Sequence, residues 1–335
     1  MSGPPGKLES ARASLDGPTP AEVPFFAVFP SFGRDPNRHI VHRRAPLGSI
    51  IVNVPYGGIF MPPAVAKRMP LTPEELGWEN YRLADPHLLR VATMAADEGV
   101  MALKSGKKKV PKRELVSYPF SPLVSDPLGI LAGELGADAP PGPAFIPKST
   151  MGKPLDLWKP GEEETVLNKS SLPYLGKLKE TCLEFLQKDN LVLLLTLRSF
   201  SAKPWNFESE RRYPRPDANI GTSLENKTPK GLETFVGKFL KAFGFWPELD
   251  WPHRGAYLPP ELAGSPRLLA LGLSFRRDLY MNETTGKPEK KAESLARVLR
   301  TVFSLLEQQL ENVVRIRHLR EHPPKPPSMV IKASE

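Results

Sequence analysis

The segment from Asn190 to Phe200 constrains the fold more than any other part of the sequence. It reads NLVLLLTLRSF, and its apolar run from Leu191 to Leu195 has no polar residue at alternate positions. A strand of this kind is buried on both faces, which requires helices on both sides of a largely parallel sheet. Residues 49–54 and 268–275 predict two further strands of the same apolar character.

Helical patterns separate these strands. Apolar residues recur at helical spacing over residues 174–188, again over 232–243, and along a last helix over 295–313. The run from Asp85 to Met101 predicts another helix, followed by a short strand. Strands that alternate with helices predict an α/β fold, with a three-layer α/β/α architecture around a mixed central sheet.

The two ends of the chain differ from this body. Proline accounts for 39 of the 335 residues and is concentrated in the ends and the loops. We interpret residues 1–45 as a Pro-rich extended arm, residues 46–317 as the α/β/α domain, and residues 318–335 as a Pro-rich tail. Residues 105–172 predict a long irregular region, which compact domains usually keep for function or binding. Aromatic side chains of the arm are candidate anchors for a partner: Phe25, Phe26, Phe29 and Phe32.

The charge of the chain favours an acidic partner. The formal net charge is +9 at pH 7, which suits either an acidic protein surface such as that of tubulin or RNA in a large assembly. The clusters of basic residues supply these candidate contacts: Lys107, Lys108, Lys109, Arg211 and Arg212. No cluster is interleaved with aromatic residues as in a nucleic-acid-binding motif, so we expect no readout of DNA sequence.

Three sequence features bear on the compartment. No apolar run approaches the roughly 20 residues that a membrane-spanning helix needs, and no signal-peptide core follows Met1, so we expect no membrane partner. The single cysteine, Cys182, excludes an intramolecular disulfide framework, and its neighbours at helical spacing predict a buried core thiol. Acidic residues within the first 25 positions argue against a transit peptide. We therefore expect a cytoplasmic protein, at the cytoskeleton or in a cilium, with the mitochondrion as the alternative.

Common catalytic motifs are missing from the sequence, which contains no P-loop, G-x-G-x-x-G, H-E-x-x-H or G-x-S-x-G. Asp85 precedes a predicted helix, where aspartate is a common N-cap. Capping therefore explains the segment of Asp85 and His87 without a catalytic role. His318 and His322 have the spacing of a zinc-binding pair on a helix, but the arginines around them favour a cation-rich surface.

Seven short segments, in this order, resemble motifs of one known family. They are Val54-Pro55-Tyr56-Gly57-Gly58, Asp85-Pro86-His87-Leu88-Leu89, Val116-Ser117-Tyr118-Pro119-Phe120, Thr196-Leu197-Arg198-Ser199 with Ile220-Gly221-Thr222, Leu273-Ser274-Phe275, and Tyr280-Met281-Asn282-Glu283. The chain resembles the N-formylglutamate amidohydrolase family over roughly residues 46–310. The resemblance implies a zinc-carboxypeptidase-like, phosphorylase/hydrolase-like α/β/α fold.

The resemblance also implies where the family's chemistry would lie. Its zinc is held by two histidines and a carboxylate, and these positions fall on Tyr56, Arg198 and Asp85. Its general-base glutamate falls on Ser274, and its substrate-clamping arginine falls on Phe120. A guanidinium cannot deprotonate and repels a dication, so this set of side chains does not suit zinc. Together with His87, these residues predict a degenerate former site that holds no metal and no cofactor.

Three functions follow from this inventory. The first is a catalytically inactive domain that serves as a structural or binding subunit of a large intracellular assembly, either a microtubule or axonemal lattice or a ribonucleoprotein. The second is a residual hydrolase, with or without a metal, that uses Asp85, His87 and His253. The third is a sensor that binds a small anion in a polar cavity lined by Tyr56, Arg198 and Ser274. For Arg198 itself, we expect an ion pair with Asp85 in the place of the metal.

Overall fold

The computed structural model describes residues 48–96, 113–129, 149–150, 153–154, 158–159, 161–188, 191–204, 212–222, 228 and 231–321. The predicted N-terminal arm lies outside these residues. The elements, in chain order, are β1 (Gly48–Val54), α1 (Pro63–Ala66), α2 (Pro73–Leu83), α3 (Pro86–Ala96), β2 (Arg113–Ser117), β3 (Ser149–Thr150), β4 (Lys153–Pro154), α4 (Glu162–Lys169), α5 (Ser171–Lys188), β5 (Leu191–Phe200), β6 (Ala218–Thr222), α6 (Leu232–Ala242), β7 (Pro247–Leu249), β8 (Leu268–Arg276) and α7 (Lys291–Glu321).

Six of these strands form one sheet in the order β2-β1-β5-β8-β6-β7. The first four are parallel to one another, whereas β6 runs antiparallel to β8 and parallel to β7. The sheet is therefore mixed, as the sequence predicted. Strand β5 lies inside the sheet, and every side chain from Leu191 to Leu195 is fully buried. Burial on both faces explains why this run has no alternating polar residue.

Helices α3, α6 and α7 cover one face of the sheet. The core on this side is formed by alternate strand residues and the apolar faces of the three helices, with Leu193 and Leu195 of β5 packed in the same cluster as Val91, Val236 and Leu299. Among all the residues that the structure describes, no helix combines the length and the apolar composition that crossing a membrane requires.

Helix α5 covers the opposite face. Val192 and Leu194, which alternate with the residues of the first core, pack here with Leu178, Cys182 and Phe185. The Cys182 thiol is fully buried, and this burial raises its pKa to about 12. The prediction of a buried core thiol is confirmed, and helix α5 completes the three-layer architecture.

The predicted irregular region was wrong in part. Residues 105–172 are not irregular throughout, because strand β2 occupies 113–117 and helix α4 occupies 162–169. Helix α7 continues to Glu321, so residues 318–321 of the predicted tail are helical. The short strand predicted after helix α3 lies outside the described residues.

Candidate functional site

Four of the predicted site residues meet at one edge of the sheet, where parallel strands end together. Tyr56 follows β1, and Arg198 of β5 lies opposite Ser274 of β8 in the strand register. The backbone N–H of Asp85, just before helix α3, donates to the carbonyl oxygen of Tyr56 at 2.6 Å. In open α/β sheets, the carboxyl ends of the strands are the usual place for a binding site.

Arg198 is the most unusual residue of this edge. Its side chain is only 2% exposed, and Nη2 donates to the carbonyl oxygens of Arg254 at 3.3 Å and Gly255 at 3.1 Å. Burial lowers the pKa of the guanidinium to about 10, which still leaves it charged at neutral pH. A permanent positive charge therefore occupies a position where the resemblance places a zinc ligand.

Asp85 does not form the predicted ion pair with Arg198; that prediction was wrong. Its Oδ1 accepts the backbone N–H of Leu88 at 2.7 Å and caps helix α3, as expected from the sequence. Its Oδ2 accepts the hydroxyl of Tyr280 and lies 3.7 Å from Nε of Arg277. The carboxylate is thus engaged by a helix end, a phenol and a different arginine.

These partners of Asp85 could not be predicted from the sequence. Tyr280 belongs to a segment that matched the family, but nothing in the local pattern linked it to Asp85, 195 positions away. Arg277 follows β8 and also donates to Oγ of Ser199 at 3.0 Å and to the carbonyl oxygen of Arg82 at 2.8 Å. A buried carboxylate requires a donor, but only the fold identifies which one.

Tyr56 is partly exposed and donates its hydroxyl to Oδ1 of Asp126 at 2.8 Å. Loss of hydration and the negative charge of Asp126 raise the pKa of the phenol, although the positive charge of Arg198 opposes this rise. The phenol therefore stays protonated at neutral pH. A neutral phenol that already donates to a carboxylate is a poor ligand for a divalent metal.

Ser274 is fully buried, and its Oγ lies 3.1 Å from Nδ1 of His253. The pair has the separation of a nucleophile and its general base. Burial and the positive charges of Arg198, Arg215 and Arg277 lower the pKa of His253 well below its usual value. Because these cations disfavour the imidazolium that a general base must form, the pair is poorly suited to proton transfer.

The other two former-site positions have packing roles. Nε2 of His87 lies 2.9 Å from the carbonyl oxygen of Gly286, and its ring contacts Tyr81 edge-on with the centroids 6.4 Å apart. Phe120 packs against the rings of Phe60 and Tyr118, with centroid separations of 5.3 and 5.8 Å. An apolar wall therefore replaces the arginine that would clamp a carboxylate.

The predicted partner-binding residues are largely outside the described residues. These are Phe25, Phe26, Phe29, Phe32, Lys107, Lys108, Lys109 and Arg211. Arg212 is described; it is exposed, and its guanidinium lies 4.3 Å from the centroid of the Trp251 ring. His322 also lies outside the described part, and His318 belongs to α7.

A zinc ion does not fit the residues at this edge. Among the described residues, no group of three histidine, cysteine, aspartate or glutamate side chains could hold a metal ion. The three positions of the implied zinc site hold a protonated phenol, a guanidinium and a carboxylate that has already taken three partners. Only the carboxylate has the donor chemistry of a zinc ligand, and one ligand does not hold a catalytic zinc.

The fold and this edge of the sheet together define a three-layer α/β/α domain with a buried, charged arginine at the ends of its parallel strands. Comparison with known proteins identifies its relatives. The sequence profile of N-formylglutamate amidohydrolases matches residues 48–281, and the chain belongs to that family. No curated protein matches the sequence.

Among solved structures, the fold is similar to the crystal structure of N-formylglutamate amidohydrolase from Ralstonia eutropha JMP134. The two chains share 18% sequence identity with a TM-score of 0.63, over 82% of this chain and 98% of the bacterial one. At this level of identity the likeness concerns the fold alone.

Proposed function

We propose that this protein is a catalytically inactive member of its family that serves as a structural or binding subunit of a large intracellular assembly. The observation that carries the proposal is the buried, charged guanidinium of Arg198, which lies where the resemblance implies a zinc ligand. A fixed cation there opposes both a divalent metal and the development of positive charge on a neighbouring base.

A residual hydrolase is the weaker alternative. Of its three proposed residues, Asp85 caps α3 and binds Tyr280, His87 bonds to the carbonyl oxygen of Gly286, and His253 is surrounded by arginine charges. Amide hydrolysis needs an electrophile or oxyanion stabilisation together with a competent base. These contacts support a structural role for all three side chains.

A direct assay separates the two functions. The purified chain, with and without added Zn²⁺, is incubated with N-formyl-L-glutamate alongside the Ralstonia eutropha enzyme. We expect no release of glutamate by this chain under conditions in which the bacterial enzyme turns over. Hydrolysis that disappears in an Asp85→Ala variant would refute the inactive assignment.

The proposed partner presents an acidic surface, either a protein such as tubulin in a microtubule or axoneme, or RNA in a ribonucleoprotein. The net charge of +9 supports this proposal, and the basic clusters and the aromatic residues of the arm supply the contacts. The expected location follows the partner: the cytoplasm, at the cytoskeleton or in a cilium, with the mitochondrion as the alternative.

Sedimentation of a gently prepared lysate tests the assembly. We expect the chain to sediment with a very large particle at low salt and to leave it at high salt, because screening weakens contacts between exposed charges. The co-sedimenting tubulin or RNA then identifies the assembly. A free particle near the 37.2 kDa of the monomer in both buffers would contradict the subunit role.

A further inference from the structure

A group of large apolar side chains lies exposed at one edge of the sheet. Phe243 follows helix α6 and is 49% exposed, Trp246 is 39% exposed, and Leu249 of strand β7 is 53% exposed. Helix α6 contacts β7, and the ring of Phe243 packs against that of Phe239 with the centroids 4.6 Å apart. We call these four side chains the α6–β7 patch. Exposed apolar residues scattered singly are normal, whereas a group of them in one place marks an interaction site.

The six-stranded sheet ends at this patch. Strand β7 pairs with β6 on one side, and no other strand of the described residues pairs with it. Leu249 is opposite Ile220 in the register, and the Ile220 side chain belongs to the core beneath α6, so Leu249 lies on the same side of the sheet as the helix. Native proteins usually cover or block such an edge. Because Pro247 of β7 has no N–H, an added strand would gain few hydrogen bonds, and packing of side chains is the better way to cover it.

The N-terminal arm contains a segment whose composition suits this surface. Residues 25–32 read FFAVFPSF, so half of the segment is phenylalanine and none of it is charged. Burying apolar surface on both partners removes it from water, and aromatic rings gain further from contact with one another. The patch offers two phenylalanines and a tryptophan for such contacts.

The chain between the arm segment and the sheet is long enough to reach the patch. Residues 33–47 join the segment to strand β1 and span at most about 50 Å when extended. Gly48 and Leu249 are separated by four strand spacings across the sheet and about six residues along it, which amounts to roughly 30 Å. A tethered segment within reach has a local concentration that a second molecule in dilute solution does not match. The arm of the same chain is therefore favoured over a second copy.

We propose that, in the free protein, residues 25–32 of the arm pack on the α6–β7 patch of the same chain and cover it. The same phenylalanines are proposed contacts for the assembly, so a partner that binds them would release the arm from the patch. The contact within the chain does not rest on that proposed function, because it concerns the free protein alone.

Disulfide cross-linking tests the contact in the purified full-length chain. The native Cys182 is fully buried and the pKa of its thiol is raised to about 12, so introduced cysteines react with each other and not with it. Under mild oxidation, the variant Ser31→Cys/Leu249→Cys should form a disulfide within one molecule, since such a bond requires Cα atoms less than about 7 Å apart. Gel mobility without reductant measures the product. Disulfides between molecules, with a share that rises with protein concentration, would overturn the proposal in favour of a second copy.

Leu183 provides the matched control, because it is also an exposed leucine but belongs to α5 on the opposite face of the sheet. Helix α5 ends just before β5, whose Leu191 pairs with Gly48, so an arm without a docking site would reach position 183 at least as readily as position 249. We expect the disulfide of Ser31→Cys/Leu249→Cys to form about tenfold or more faster than that of Ser31→Cys/Leu183→Cys. Equal rates of the two pairs overturn the proposal.

Substitutions in the arm show which side chains hold it. Phe25→Ser, Phe26→Ser, Phe29→Ser and Phe32→Ser, introduced together into the chain with the cysteines at 31 and 249, should slow the reaction to the rate of the control pair. They leave every residue of the patch in place. An unchanged rate would overturn the proposal, since the tether alone would then account for the cross-link. These experiments use the isolated chain, so their outcome is independent of whether the chain sediments with an assembly.

Discussion

Among single residues, Asp85 shows how one buried carboxylate can stabilise several parts of the fold. It caps helix α3, accepts the Tyr280 hydroxyl and lies beside Arg277. All three contacts form only in the folded protein, and none requires a metal. The contacts of Asp85 therefore account for a structural role.

The first prediction concerns this carboxylate. Asp85→Ala should lower the free energy of unfolding by about 3–5 kcal/mol, because it removes a cap and leaves Tyr280 and Arg277 without their buried acceptor. Asp85→Asn should cost less, since its amide oxygen can still accept the Leu88 N–H. Urea unfolding measures both, with the half-buried Asp278 as the control, because Asp278→Ala should cost less than about 1 kcal/mol. If Asp85→Ala lowered the free energy of unfolding by less than about 1 kcal/mol, the stabilising role of this carboxylate would be contradicted.

The second prediction concerns pH and His253. Burial and three arginine charges lower its folded-state pKa below the ordinary value of 6.5, so the unfolded chain binds more protons in acid. The contribution of neutral His253 to the free energy of unfolding is fully present above pH 6.5. It is lost as the pH falls through and below that value, because the unfolded chain then takes up a proton that the folded chain does not. The slope should approach about 1.4 kcal/mol per pH unit, as measured by urea unfolding between pH 7.5 and 5.5.

His253→Gln provides the control, because glutamine can keep a bond to Ser274 but does not titrate. Its unfolding free energy should vary less over this pH range than that of the wild type. Equal pH dependence in the two proteins would show that other groups are responsible.

At the scale of the element, the turn after β1 depends on its two glycines for space and not for chemistry. A Cβ on Gly58 would lie 2.1 Å from the carbonyl carbon of Pro119 and 2.3 Å from the carbonyl oxygen of Tyr118. These are backbone atoms of the loop after β2, which cannot move aside as a side chain can. Glycine at position 58 is therefore required because two loops touch there.

The third prediction compares two glycines. Gly58→Ala should destabilise the protein by roughly 3 kcal/mol or more, because the backbone of residues 118–119 must shift. Gly176→Ala in helix α5 should stabilise it by about 0.5–1 kcal/mol, since no atom lies within 4 Å of the added Cβ and alanine favours the helix. Thermal and urea unfolding measure both changes. Equal effects of the two substitutions would rule out the close approach as the cause.

For the molecule as a whole, a buried ion pair joins the edge strand β2 to the last helix, α7. Nε and Nη2 of Arg113 in β2 donate to the two carboxylate oxygens of Glu307 in α7, at 2.6 and 2.8 Å. Nη2 also donates to Oγ of Ser304 at 2.9 Å. The pair connects segments 194 positions apart and fixes α7 across the sheet.

The fourth prediction tests this connection. Arg113→Met should cost about 3–5 kcal/mol of unfolding free energy, because it leaves the Glu307 carboxylate buried without its cation. The double variant Arg113→Met/Glu307→Leu should recover much of that loss. The exposed pair of Lys179 and Glu261 is the control, and Lys179→Met should cost less than about 1 kcal/mol. If the double variant is no more stable than Arg113→Met, the loss of stability comes from the packing of the methionine and not from the buried charge of Glu307.

The sequence predicted much of the fold because the relevant signals are local. The run Leu191–Leu195 predicted a strand buried on both faces, and Asp85 predicted the start of a helix. The predicted irregular region failed at β2 and α4, since short elements among prolines carry too few periodic positions to be recognised. The partner-binding residues outside the described part stay predictions.

Residue identity and local order were enough to predict the α/β class and the family, because both leave signals within short segments. The contacts between side chains became known from the fold. It assigned Asp85 to Arg277 and Tyr280, and it left Nε and Nη1 of Arg198 without partners. Such pairings depend on strand order and register between distant segments, and the local hydrophobic pattern carries information about burial but none about the partner.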